Sequence, residues 1–507
     1  MNFFSSPSLR QILEVVQANL ASAESVYLVG GAVRSLLLQQ EPHDFDFAIE
    51  GNVRSFARNV ADALGGAFYM LDDERDTARI VYDFPKRPRT TIDFAVLRGQ
   101  DIESDLKNRD FTINAMALDL LQPDHLIDPL GGAQDLKDCI LRLCSSTSLT
   151  DDPARVLRAV RLAVELRLRI TQDTLNAMRQ AAAHLYRVSP ERQRDELFRM
   201  LDSDRPQTAL RLMDSVGIFP YFLPELEPLK GLKQPQPHVL DAWEHTLAAL
   251  EEMNTLLSFL AGDYTEEADN LTIGLVVTRL GRYRAELGRL FKERLNPNRS
   301  RRSLLAFSIL YHDAGKPATL STDKDGKLHF YNHEALSAQL VGRRGARLAL
   351  SQVELKYLTV VVRNHMRIHS LASSETDEIS RRVRYRYFRS TGEEGIDIIL
   401  LSLADTLATW RTTLRQEYWL RELEVCRALF DTWWCQREAV VQPPGLLNGY
   451  DIQRRFQLKA GPLIGEMLEV VREAQAAGEL TQQEEAYELL DRWLKQRVGR
   501  SEDGSLN

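Results

Sequence analysis

The chain has 507 residues, which at about 150 residues per domain predicts three to four domains. Apolar residues make up 44% and charged residues 27%, the composition of a folded globular chain, which excludes disordered, collagenous and low-complexity classes. The net charge of −8 gives no overall pull toward nucleic acid, so any RNA surface has to be a local cluster of Lys and Arg.

No apolar run approaches the ~18 residues of a membrane span. Met1–Leu20 lacks the layout of a secretory signal. Cys139, Cys144, Cys426 and Cys435 are scattered and never in CxxC spacing, so neither a disulfide framework nor a zinc ribbon is implied. The expectation is a cytoplasmic protein with no membrane partner.

In chain order, Val26–Gly30, Phe45–Ile49, Ile80–Phe84, Thr91–Leu97 and Ile140–Cys144 read as short strands, with helical periodicity at Val53–Leu64 between them. After Thr150 the pattern is almost wholly helical. The Pro-rich stretch Pro220–Pro237 predicts a linker. The fold class is therefore α+β. A small mixed-sheet head (1–148) precedes an all-α neck (149–232), a second helical domain (233–415) and a helical tail (416–507). Two basic runs, Arg279–Arg302 and Arg381–Arg389, are the candidate RNA surfaces. A solvated helix face is the plainer reading of each.

Three constellations carry chemistry. In Leu28-Val-Gly30-Gly31-Ala-Val-Arg34, a strand runs into two glycines and then a helix. That turn predicts a phosphate cradle clamped by Arg34, although a plain strand–helix turn has the same pattern. Next, Asp44 and Asp46 stand two apart on a strand and so share a face, while Phe45 and Phe47 point to the core. Like charges side by side predict divalent cations between them, suited to in-line phosphoryl transfer. Asp93 is a third carboxylate on a later strand, with an edge residue as its alternative reading.

The second constellation joins Arg109-Asp-Phe-Thr-Ile-Asn-Ala to Asp152-Pro-Ala-Arg155-Val-Leu-Arg158-Ala-Val-Arg161. Asp152 and Arg155 are neighbours on a helix, with a cap and a weak ion pair as the bland reading. As a pair they offer an acceptor beside a donor, complementary to the pairing edges of cytosine and adenine and mismatched to guanine and uracil. Arg109, Arg158 and Arg161 are left to hold phosphates or orient the base.

Together these four motifs, over about residues 25–230 and in register, resemble the class II tRNA nucleotidyltransferases (CCA-adding enzymes) and the related bacterial poly(A) polymerases. The resemblance implies a DNA polymerase β-like head, a nucleotide-selecting neck, and addition of CMP and AMP from CTP and ATP to a tRNA 3′ end. It assigns magnesium to Asp44 and Asp46, and the nucleotide to Gly31, Arg34, Arg109, Asp152, Arg155, Arg158 and Arg161. Gly30 belongs to the same turn. Ser35 stands where the family usually has Asp, which puts a small ribose-side or capping role in doubt. Only ten residues separate Arg98 from Arg109, where CCA-adding members carry a longer flexible loop. That shortness resembles the CC-adding specialists. Full CCA addition and poly(A) synthesis are the alternatives.

The third constellation is His245, His312-Asp313, His333, His365 and Asp405. Imidazoles with carboxylates suit a transition metal or a mixed dinuclear site. The pattern resembles the HD phosphohydrolase domain, in which His245, His312, Asp313 and Asp405 would be principal ligands. His333 and His365 would extend the site toward a second metal, with Mn, Ni, Fe or Mg as candidates, and Lys316 would neutralise a phosphate. A rival reading of the whole chain follows: a metal phosphohydrolase with a degenerate nucleotide-sensing head. A non-catalytic RNA-binding protein is opposed by the intact Asp44, Asp46 and Arg109.

Overall fold

The computed structural model describes residues 7–20, 25–42, 44–72, 76–83, 90–122, 125–262, 271–296, 299–374 and 378–503. The strand signals resolve into one seven-stranded sheet: β1 (Ser25–Val29), β2 (Asp44–Glu50), β3 (Ala67–Asp72), β4 (Thr77–Tyr82), β5 (Thr90–Val96), β6 (Ala117–Asp119) and β7 (Leu126–Ile127). Their order is β3-β4-β5-β2-β1-β6-β7, with β2 and β5 parallel and the other pairs antiparallel.

Period-two alternation sends Val26, Leu28, Phe45, Phe47, Ile49, Ile80, Ile92 and Phe94 to one face, where all are buried. Helix Pro7–Ala18 covers that face with Leu9, Ile12 and Val16, and helix Val53–Leu64 covers it with Phe56 and Val60. The second helix begins where the side chain of Asn52 accepts from the Ser55 N–H at 2.9 Å. Phe94 stacks on Phe47 at 5.0 Å and meets the edge of Phe56 at 5.6 Å. On the opposite face, Ala48 and Val29 pack against Ile102 and Leu106, and the open part of β2 and β5 beside that cluster carries Asp44, Asp46 and Asp93.

Some strand expectations need correction. Phe84 lies outside the described residues, and β4 is described from Thr77 to Tyr82. The Ile140–Cys144 signal shrinks to Ile140–Leu141, which pairs with Arg169–Ile170 in a separate two-stranded sheet. Arg142 breaks the run, because its guanidinium turns to Asp135 at 3.0 Å and its carbonyl accepts from the Thr112 N–H at 3.0 Å. Strands β3, β6 and β7 had no counterpart in the sequence reading.

The chain folds as two compact units, residues 1–197 with 208–222, and residues 198–207 with 223–507. In the first, the sheet leads through helices Ala154–Glu165 and Gln172–Ala182 into helix Pro190–Leu201, which belongs to this unit as far as Leu197. Among the described residues, the regular structure of the second is helical apart from the hairpin Leu320–Thr322/Leu328–Phe330. The expected linker Pro220–Pro237 is instead packed structure. A tight turn at Pro224–Leu229 buries Leu226 and Leu229, and Glu225 accepts from Arg344 at 2.7 Å and from the Tyr311 hydroxyl at 3.2 Å.

Much of both basic runs is spent on internal ion pairs. Arg299 and Arg301 are buried against Glu354 and Asp397, at 3.0 and 2.6 Å. Arg382, Arg386 and Arg389, on helix Arg381–Thr391, reach Glu479, Glu473 and Glu469 at 2.7, 2.6 and 2.9 Å.

Candidate functional site

Asp44 and Asp46 project from the sheet face opposite the aromatic core, and both are open to solvent. Parallel pairing sets Asp93 of β5 beside Asp46, and Arg79 of β4 pairs with Asp93 in turn. The three acids are therefore together, with an addition: Arg79 grips both oxygens of Asp93 at 2.7 and 2.6 Å. A cation at Asp93 has to share it with that guanidinium. Asp44 accepts from the Thr91 hydroxyl.

The Asp46 carboxyl is pushed up to about 6, first by lost hydration and then by the Asp93 charge, while Arg109 and Arg158 pull the other way. Because Asp46 is accessible to water, desolvation is incomplete and the like-charge crowding is the firmer cause. Hard carboxylate oxygens crowded in this way fit magnesium, which would relieve the repulsion.

Between β1 and helix Gly31–Leu37 the chain turns at Gly30, with φ 74° and ψ −134°, a conformation open to glycine alone. A Cβ on Gly30 would lie 3.1 Å from Arg109 Nη1 and 3.5 Å from Asp46 Oδ2. The missing side chain thus lets a cation and a metal-type carboxylate share one corner. Gly31 lies against the Arg34 guanidinium, 3.5 Å from where its own Cβ would be.

Arg34 donates to Asn114, and its Nε is buried without a partner. Burial, then the charges of Arg161 and Arg158, lower its pKa. A cation short of partners is what an oligophosphate would satisfy. Asn114 also donates to Asp110 at 3.1 Å, and Asp110 pairs with half-exposed Arg158 at 3.3 Å. Arg109 is tethered by Asp105 at 3.0 Å.

The expected Asp152–Arg155 pair is loose, with 3.9 Å between Arg155 Nε and Asp152 Oδ2. Asp152 is instead gripped at both oxygens by Arg192 on helix Pro190–Leu201, at 3.0 and 2.6 Å. Arg155 reaches the carbonyls of Asn108, Arg109 and Ser148 at 3.3, 3.3 and 3.2 Å. Arg161 is a correction to the sequence reading. It is buried, and its guanidinium is taken by Glu196 at 2.6 Å and Glu165 at 2.7 Å. Two carboxylates already neutralise it, so it braces the neck rather than facing phosphate.

In the second unit, His245, His312, Asp313, His333, His365 and Asp405 are all buried. They come from helices Ala242–Leu260 and Gly395–Trp410, and from the ends of helices Arg301–Tyr311, His333–Arg347 and Gln352–Asn364. They converge on Asp313. The Nε2 atoms of His245 and His312 lie 3.7 and 3.2 Å from its Oδ2, and those of His333 and His365 lie 3.3 and 3.9 Å from its Oδ1. Asp405 Oδ1 is 2.9 Å from His245 Nε2. Asp313 thus joins two groups able to hold a metal, one with His245 and His312 and one with His333 and His365.

The tautomers are set from behind. The Nδ1 atoms of His312, His333 and His365 lie 2.7, 2.8 and 2.7 Å from the carbonyls of Ile309, Phe330 and Val362. A carbonyl only accepts, so each Nδ1 carries a proton and in the neutral ring Nε2 turns a lone pair inward. At His312 burial is outweighed by Asp313 and Asp405, which raise its pKa. The Nε2 atoms of His333 and His365 are 3.3 Å apart. Facing lone pairs at that distance repel, and a cation between them removes the repulsion. The donor set fits a transition metal.

Lys316 departs from expectation. It is buried, with Nζ 2.5 Å from Asp313 Oδ2 and 2.6 Å from Gln234 Oε1, so it serves Asp313 rather than an open phosphate position.

Sequence reasoning missed Arg79, Arg192 and His369. His369 Nε2 donates to Asp405 Oδ2 at 2.7 Å. Burial opposes its charge, but the Asp405 bond and the charges of Asp405 and Glu422 outweigh burial and push it up to about 9. The one available signal was His369 standing four positions after His365, although a turn parts them and His369 lies on the separate helix Arg367–Ala372.

The Poly A polymerase head domain model matches residues 26–142, the model described as a probable RNA and SrmB-binding site of polymerase A matches 167–230, and the HD domain model matches 283–410. An A-adding tRNA nucleotidyltransferase of Deinococcus radiodurans is 31% identical over 487 residues, spanning 93% of this chain and 96% of that one. A CC-adding tRNA nucleotidyltransferase of Thermus thermophilus is 29% identical over 490 residues, spanning 95% and 96%. A solved CCA-adding enzyme, in an apo form, superposes with a TM-score of 0.60 at 21% identity, covering 95% of this chain and 94% of that one. That likeness establishes the shared fold. Among the described residues, no helix is long and apolar enough to cross a membrane.

Proposed function

This chain belongs to the tRNA nucleotidyltransferase and poly(A) polymerase family, and from that premise we propose that it extends tRNA 3′ ends in the cytoplasm without a template, adding CMP from CTP. The observation that carries the reading is the acid pair on the open face of β2, in register with Asp93 and cornered with Arg109 at Gly30. Asp44 and Asp46, with Asp93 beside them, would hold Mg²⁺, which acidifies the attacking 3′ hydroxyl and neutralises the departing pyrophosphate.

The chain's own residues bind and orient. Gly30 and Gly31 open the turn, and Arg34, Arg109 and Arg158 bind the triphosphate. Asp152 accepts from the exocyclic amine of the base, and Arg155 donates to its ring nitrogen. The tRNA hydroxyl attacks the α-phosphate of CTP, the bond to the β-phosphate breaks, and pyrophosphate leaves.

Support for CC addition lies between Arg98 and Arg109. The segment is a short helix, Ile102–Lys107, capped by Asp101, which accepts from the Ser104 N–H at 2.8 Å. Asp105 then ties it to Arg109. A stretch this short and braced suits a pocket with one nucleotide preference. Addition of the terminal A from ATP is the second reading, favoured by the A-adding relative from Deinococcus radiodurans. Incubation with tRNA lacking its 3′ end, with CTP alone, ATP alone and both, separates the readings by product length. Growth by two residues with CTP alone supports CC addition. Growth by one with ATP alone, on tRNA ending in CC, supports A addition. No growth with either nucleotide overturns both.

A further proposal concerns the second unit: an HD phosphohydrolase centre loaded with Mn, Ni, Fe or Mg. The facing Nε2 atoms of His333 and His365 favour it. Chelator-sensitive hydrolysis of a phosphodiester, lost in Asp313→Asn, tests it. The four-part division at 148, 232 and 415 stays our proposal, supported by the ranges of the three matching models.

A further inference from the structure

We propose that Arg192 is a specificity-determining residue, holding Asp152 so that it offers one acceptor position to an incoming base. The inference rests on the base-reading role given above to Asp152 and Arg155.

Arg192 donates from Nη1 to Asp152 Oδ1 at 3.0 Å and from Nη2 to Oδ2 at 2.6 Å. The Ala154 N–H adds a bond to Oδ1 at 3.3 Å. A carboxylate has about four lone-pair directions. Three are filled, and the one left open is on Oδ2.

Arg155 is limited in the same way. Its Nη1 faces Ser148 Oγ at 2.8 Å and the carbonyls of Ser148 and Arg109 at 3.2 and 3.3 Å, and its Nη2 donates to the Asn108 carbonyl at 3.3 Å. Of the five N–H donors of a guanidinium, this leaves Nε and one on Nη2. The Nε lies 3.9 Å from Asp152 Oδ2, the oxygen with the open direction. One acceptor therefore stands beside one donor. Cytosine and adenine answer that pair with an amino group and a ring nitrogen. Uracil and guanine present a carbonyl where the acceptor needs a donor.

Removing Arg192 changes this edge in two ways. Asp152 then keeps only the Ala154 N–H bond on Oδ1, at 3.3 Å, and the carboxylate loses its two-point hold. Arg155 can also close the 3.9 Å gap and seal the edge. Further, the Arg192 pair helps hold the Asp152 carboxyl below its usual range against the opposing effect of burial. An ionised carboxylate cannot donate to a base carbonyl, which keeps uracil and guanine out.

The position of Arg192 argues against a purely structural role. Its side chain is 55% exposed, and exposed ion pairs contribute little to folding. Arg161, on helix Ala154–Glu165, is the buried brace.

The test compares kcat/KM for CTP and UTP on tRNA lacking its 3′ end, in wild type, Arg192→Ala, Arg192→Lys and Asp152→Asn. Arg192→Ala is expected to lower the CTP-to-UTP ratio about tenfold or more, with the thermal midpoint close to wild type. Arg192→Lys keeps the charge and secures folding, but its ammonium cannot make the two-pronged contact. It is expected to restore little of the ratio. An unchanged ratio in both Arg192 variants overturns the proposal. If Asp152→Asn collapses the ratio while the Arg192 variants do not, only the role of Arg192 falls. If wild type adds only A, the same comparison is made with ATP and GTP on tRNA ending in CC. If Asp152→Asn leaves the ratio intact, or wild type incorporates neither CTP nor ATP on its substrate, the base-reading role falls and takes this proposal with it.

Discussion

Replacing Gly30 with Ala puts a methyl group into the corner that Arg109 and Asp46 share. Two costs follow, and they separate cleanly. The backbone at φ 74° and ψ −134° is essentially closed to residues with a Cβ, so folding should lose about 1–3 kcal/mol. The new Cβ would also stand 3.1 Å from Arg109 Nη1, tighter than ordinary contact, and 3.5 Å from Asp46 Oδ2. Arg109 is tethered to Asp105 at 3.0 Å and cannot swing far without losing that bond. A displacement of about 1 Å at a reacting site is worth roughly a hundredfold in rate, so kcat/KM for CTP should fall by about that factor. Gly65→Ala is the control. Gly65 has φ 70°, and a Cβ there would meet nothing within 4 Å. It should cost about 1–2 kcal/mol and leave kcat/KM alone. Urea denaturation and steady-state CMP incorporation measure the two effects. A Gly30→Ala enzyme as active as Gly65→Ala would refute the placement of Arg109 and Asp46 at the reacting centre.

Three other outcomes are expected. The Asp46 carboxyl is raised from 3.8 to about 6, so between those values the folded chain keeps a proton that the unfolded chain has released. Metal-free stability is then fullest below pH 3.8 and is lost as pH rises through about 6. Urea midpoints should follow that fall, and both Asp46→Asn and added Mg²⁺ should flatten it; midpoints level across the interval contradict the repulsion. Arg161→Met strands Glu165 and Glu196, and should cost about 3–5 kcal/mol with KM for CTP unchanged. A raised KM at intact stability would return Arg161 to the nucleotide site. His369→Leu removes the support behind Asp405 and should weaken metal binding in the second unit about 10–100-fold. Metal content after dialysis reads this, and full retention contradicts the positioning role.

The parts of the site that depend on short sequence separation were legible beforehand. Two aspartates two apart have to share a strand face, and Phe45 and Phe47 between and beyond them have to point to the core. Gly30 before a helix announced its turn, and the apolar periodicity of Val53–Leu64 announced a helix. Partners brought in by tertiary packing were not legible. Arg192 meets Asp152 across forty positions, and Arg79 meets Asp93 only through the β4–β5 register. No periodicity in either segment marks those pairings. The role of Arg161 was misread for the same reason, since Glu196 arrives from another helix. Strand β3 escaped because, as an edge strand, it has no fully buried face and its run Ala67–Asp72 shows no apolar–polar alternation. The Arg381–Arg389 run looked like an open basic surface because the glutamates that answer it lie about 80 to 97 residues further on.

The most direct measurement is CMP incorporation into tRNA lacking its 3′ end by Asp44→Asn and Asp46→Asn, at saturating CTP and Mg²⁺, with tRNA binding measured on the same preparations. Each amide keeps the shape of the carboxylate and removes its charge. A loss of roughly a thousandfold in rate with tRNA affinity nearly unchanged is the expected result. Incorporation within about tenfold of wild type by either variant would contradict a metal-holding acid pair on β2.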